Sequence, residues 1–141
     1  MNEIIKKLKM KGFNIEGLNS LQIKKIEDFY KVNLPEDYKY FLKSMGLNGD
    51  GFMRGEDCFY DKIFELRNYA TELLEEDRSN FKLKPTHFIF YNHQGYKFAF
   101  FDTADNNTDS SIYYYFEGDL IPSKRHESFL EFFRERLDMI V

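Results

Sequence analysis

The chain has 141 residues, 43% of them hydrophobic and 31% charged, with a formal net charge of −4. That is one domain's worth of core, enough to bury about two-thirds of the unfolded surface, and a negative chain is a poor general binder of nucleic acid. No apolar stretch nears the ~20 residues of a membrane span; the single cysteine, Cys58, has no internal partner, and the lysine-bearing N-terminus lacks a signal peptide's apolar run, so the expected address is a reducing cytoplasm. Aromatic residues reach 18% without any tryptophan, so phenylalanine and tyrosine should dominate the core.

In chain order, Ile4, Ile5 and Leu8 share a face of a first helix whose lysines face water and whose stop is Gly12. Ser20 is positioned to cap a second helix, with Ile23, Ile26 and Tyr30 inward and Phe29 widening the stripe. The third helix has complete punctuation. Pro35 suits the first helical position, Glu36 and Asp37 complement the positive end of the dipole, and Tyr38, Phe41, Leu42 and Met45 fall at helical spacing. Gly46 offers the left-handed residue that ends it.

Gly46 to Gly55 reads as a turn system, followed by extended pieces at Phe52-Met53 and Phe59 to Phe64. The turn lacks the Gly-Lys-Ser/Thr ending of a phosphate cradle. Leu66 to Asn80 is helix-like, with Leu66, Tyr69, Ala70, Leu73 and Leu74 inward. From Pro85 the period becomes that of strands: Phe88 to Tyr91, Tyr96 to Phe101 and Ile112 to Phe116 predict an antiparallel meander. Helices are expected on one face, with hydroxyls of Tyr91, Tyr113 or Tyr115 wet on the other. A last helix starts near Ser128, whose Ser-Phe-Leu-Glu fits a capping box. The fold class is therefore α+β, a single domain over residues 1–141.

Metal and catalytic signatures are weak. His87, His93 and His126 have no ligand spacing, and a Cys58–His93–Asp102 trio is a combination any chain of this size offers. Asp105, Asn107 and Asp109 match the first, third and fifth positions of a calcium loop, but Ser110 replaces the required glycine and Glu117 falls one residue late. An acidic hairpin loop explains them better, and neither a metal nor a cofactor is expected. Asn106-Asn107-Thr108 is a glycosylation triplet without consequence in a cytoplasmic chain.

Charge is uneven. Residues 101–120 hold five acids and no lysine or arginine, whereas residues 1–31 hold seven lysines against four acids. Asp50, Glu56, Asp57 and Asp61 form a second acidic group, and such surfaces attract a basic partner.

The segment Leu34-Pro35-Glu36-Asp37-Tyr38 through Phe41-Leu42, running into Asn48-Gly49, resembles the signature of the SUKH superfamily, the Smi/Knr-like domains. Ile23 and Glu27 upstream, and Ser128-Phe129 with Phe132 near the end, are similar to the family as well, so the resemblance spans Ser20 to Leu137. The missing tryptophan and the Gly46-Leu47 insertion depart from it. The resemblance implies a bacterial immunity protein of a polymorphic-toxin system, which binds and neutralises a cognate toxin, often a nuclease, with no catalytic residues. Partner-binding candidates are Glu56, Asp57, Asp102, Asp105 and Asp109, with Tyr113 and Tyr115 as aromatic anchors. The alternative it implies is a regulatory scaffold or small-ligand module.

Overall fold

The computed structural model describes residues 1–104 and 111–140. Three helices lead the chain: α1 (Asn2–Met10), α2 (Ser20–Tyr30) and α3 (Glu36–Met45). A two-residue strand β1 (Glu56–Asp57), a single turn α4 (Tyr60–Ile63) and helix α5 (Leu66–Glu76) follow. Strands β2 (His87–His93), β3 (Lys97–Asp102), β4 (Ile112–Phe116) and β5 (Ser123–His126) precede the last helix, α6 (Phe129–Asp138). All five strands form one antiparallel sheet in the order β1-β2-β3-β4-β5. The expected α+β class and meander are what is observed. No helix among the described residues is long and apolar enough to cross a membrane.

Local chemistry sets the helix ends, with several shifts from expectation. Asn19, not Ser20, caps α2: its side chain accepts from the Gln22 N–H at 2.8 Å while the Gln22 side chain returns a bond to the Asn19 N–H. Pro35 stands just before α3 with extended backbone. Gly46 is right-handed at φ −64°, so its role is space: a Cβ there would meet Leu42 O at 2.7 Å. Phe59 to Phe64, expected as extended, wraps into α4, and α5 stops at Glu76, short of Asn80. Ser128 caps α6 by accepting from the Glu131 N–H, whereas the Glu131 carboxylate reaches back to the Glu127 N–H instead of the cap residue. β1 and β5 were not foreseen, being short and polar.

The sheet is covered on both faces. Phe88, Phe90, Tyr91, Ala99, Phe101, Ile112 and Tyr114 pack against α1, α2, α3 and α6, with Tyr38 at the centre of rings from Phe41, Phe88, Phe90, Phe101 and Phe129. Ring pairs of this kind add about 0.5–1.5 kcal/mol each beyond their burial. Ile89, Phe98, Phe100 and Tyr115 face the other way, under Leu66, Ala70, Leu73 and Leu74 of α5. The face expected to stay wet is therefore closed by α5, since its Phe98 and Phe100 would otherwise lie bare. Phe90 and Tyr91 are neighbours yet both point toward α6, because the β2 register passes from Ile89↔Phe100 to Tyr91↔Ala99 and leaves Phe90 as a bulge.

Candidate functional site at the end of the sheet

Pairing of His87 with Asp102 brings the start of β2 beside the end of β3, and Phe100 pairs with Tyr113 of β4. These residues open onto a cavity of about 360 Å³ whose walls are Phe81, Lys84, His87, Phe100, Asp102, Tyr113 and Pro122. Tyr113 is half-buried and stacks on Phe100 at 5.5 Å, leaving its ring along the rim. His87 packs against the rings of Phe81 and Phe100, which also touch each other.

Arg67 of α5 fixes one wall. Its guanidinium donates to the carbonyls of His87 at 2.9 Å, Lys84 at 3.0 Å and Leu83 at 3.3 Å, holding the approach to β2 against the helix. His87 Nδ1 accepts from the Lys84 N–H at 3.0 Å, so the neutral ring carries its proton on Nε2, 3.6 Å from Asp102 Oδ2. Burial pushes the His87 pKa down, Asp102 works against that, and Lys84 and Arg67 add to it. Burial alone would raise Asp102, but the Ala104 N–H, the Thr86 side chain, His87 and Lys84 together hold it below its ordinary value. Near neutral pH the site therefore presents an anionic carboxylate beside a neutral imidazole and an aromatic rim. Such a set receives a cationic or hydrogen-bonding group.

The other candidates are dispersed. From Lys97 to Asp102 strand β3 advances about 17 Å, and Glu56 pairs with His93 at the Lys97 end, so Glu56 and Asp57 stand at the opposite end of the sheet from Asp102. The Glu56 side chain is 8% exposed, accepting from Arg136 Nη2 at 2.6 Å with His93 Nδ1 at 2.7 Å; Arg136 also bonds the Tyr91 hydroxyl. Asp57 is partly buried, and burial raises its pKa against the pull of Lys62. Tyr115 is fully buried, stacked on Phe98, with its hydroxyl donating to Asp77 Oδ2 at 2.6 Å. Asp105 and Asp109, and with them the calcium-like loop, lie outside the described residues.

The Cys58–His93–Asp102 trio does not assemble, since His93 and Asp102 terminate opposite ends of the sheet. Cys58 is buried, and burial holds its thiol well above its usual value. Among the described residues no group of three or more His, Cys, Asp and Glu side chains could hold a metal ion.

Sequence reading missed Arg67, Phe81, Lys84 and His87 as parts of the site. Phe81 to His87 has no periodicity to reveal an inward wall, and only the lone His87 before an apolar run carried a signal. No curated protein matches the chain. Residues 20–133 match the SUKH_6 family, described as SMI1-KNR4 cell-wall, and since that match covers most of its length the chain belongs to this family.

Proposed function

We propose that the chain is an immunity-type binding protein of a bacterial polymorphic-toxin system, acting in the cytoplasm on a cognate basic toxin domain such as a nuclease. It blocks that domain sterically and electrostatically, without turnover. Family membership over residues 20–133 carries this reading. Within the fold, the geometry favours the Asp102–Tyr113 rim as the docking end, because a carboxylate beside an aromatic face suits a lysine or arginine of the toxin. Asp105 and Asp109 lie between these two in sequence and extend the same acidic stretch. Asp57 belongs to the opposite end, while Glu56 and Tyr115, spent on partners within the chain, support shape instead of contact.

The test is co-purification with the product of the adjacent gene. Asp102→Lys should weaken the complex about tenfold or more at low salt, and Glu56 variants should act through stability. Absence of a complex, or one indifferent to the reversal, overturns the proposal. A second reading, a small-ligand module, is favoured by the cavity itself, whose 360 Å³ falls in the range of about 300–1,000 Å³ typical of ligand pockets. It predicts a ligand-dependent rise in melting temperature that Tyr113→Ala removes, in a chain encoded without a toxin neighbour.

A further inference from the structure

The Lys97 end of the sheet carries a second surface, of opposite sign. In β5 the register passes from Ile112↔His126 to Tyr113↔Lys124, so Arg125 is the extra residue of a bulge and turns onto the α6 face. There its guanidinium lies 5.6 Å from the Tyr114 ring and 5.4 Å from Phe116. Lys97 Nζ stands over the same shelf, 5.1 Å from Tyr91, 4.9 Å from Tyr114 and 5.2 Å from Phe116. The Arg136 guanidinium completes it, 5.0 Å from Tyr91.

Three cations thus share one aromatic shelf, and of these Arg136 is paired with Glu56. Among the described residues, Glu56 is the only carboxylate within 4 Å of any of the three, and it is taken by Arg136 and His93. Among the described residues Arg125 makes one hydrogen bond, to the Ser123 hydroxyl at 3.2 Å, and Lys97 is in no ion pair. Burial lowers the Lys97 pKa, Arg136 and Arg125 add to that, and Glu56 and Glu135 work against it. Three cations against the one carboxylate paired among them leave an excess of positive charge, which an incoming anion relieves.

We propose that this shelf is a docking surface for a carboxylate-rich segment of a protein partner. A planar carboxylate matches the arginine fork and the lysine point charge at once. The shelf is also an island: Glu117, Asp119, Glu127, Glu131 and Glu135 are exposed on the flanking segments. A nucleic acid would have to carry its phosphates across those acids, whereas a short cluster of Asp or Glu side chains fits inside them. The inference is independent of the toxin reading, which uses the α5 face of the sheet, where Phe100 and Tyr113 lie, and not the α6 face.

Fluorescence anisotropy of a labelled hexaglutamate peptide with the full chain tests it at low ionic strength. Saturable binding is expected, weakened about fivefold or more in R125A and further in R125A/K97M, and unchanged in D102N. Arg125 is exposed, so R125A retains the fold and decides the matter even if the double variant does not fold. Failure of the wild type to bind, or equal binding by R125A, overturns the proposal. Equally tight binding of a single-stranded DNA hexamer, or self-association in sedimentation that R125A abolishes, would overturn the choice of partner.

Discussion

The two ends of one sheet use charge in different ways. At the β1 end, Glu56 is enclosed by Arg136, His93 and Tyr91, a network that ties the short edge strand to α6. At the other end, Asp102 and His87 meet at a longer 3.6 Å, beside an open cavity. A tightly satisfied buried pair secures the fold. A carboxylate held by the Ala104 N–H at a cavity rim also borders the space that a partner group would enter.

Removing Glu56 should break this contrast most strongly. E56A leaves the Arg136 guanidinium without its carboxylate at a site 13% exposed, and a loss of about 3–5 kcal/mol is expected in urea denaturation. A combined E56L/R136M change should recover most of that, because well-packed apolar residues can replace a buried pair. If E56A costs no more than a surface substitution, the β1 end is not the structural end.

Arg67→Ala comes next. It strips three carbonyls of their donor and should cost about 2 kcal/mol while loosening the cavity wall, seen as faster amide exchange after Lys84. Tyr115→Phe should cost about 1 kcal/mol, since the buried hydroxyl loses Asp77 while the Gly118 N–H keeps it at 2.8 Å.

The smallest effects are pH-dependent and sharpen the reading of the Asp102 end. The fold holds His87 below its usual value, so protonation favours the unfolded chain: stability is full above about pH 6.5 and declines below it. Asp102 is also held low, so its ionised form contributes above about pH 4 and that contribution fades as pH falls through the folded-state pKa. In stability-versus-pH curves, H87Q should flatten the first decline and D102N the second. A wild-type curve that rises toward acid through these windows would contradict both assignments.

The helices were legible because their signals are local. The Pro35-Glu36-Asp37 start and the inward Tyr38, Phe41 and Leu42 lie within a few residues of one another, and the structure buries those three as expected. Even so, boundaries moved by a residue where two capping residues compete, as at Asn19 and Ser20. The candidate site was half legible. Asp102 and Tyr113 were named from charge and aromaticity and do meet at one cavity, but their company of Arg67, Phe81 and His87 comes from other segments. Glu56 looked like a surface acid, because a sequence shows a charge without showing what lies opposite it.

By itself, the sequence determined the five longer helices, the three long strands, the aromatic core and the family signature, all of which rest on periodicity and turn chemistry within short windows, while the single turn α4 read as extended. Tertiary structure alone decided that α5 closes the second face, that single-residue bulges re-aim Tyr91 and Arg125, and that Glu56 meets Arg136 across 80 residues. Those outcomes depend on register and on contacts between distant segments, and one residue of register exchanges the inside of a sheet for its outside.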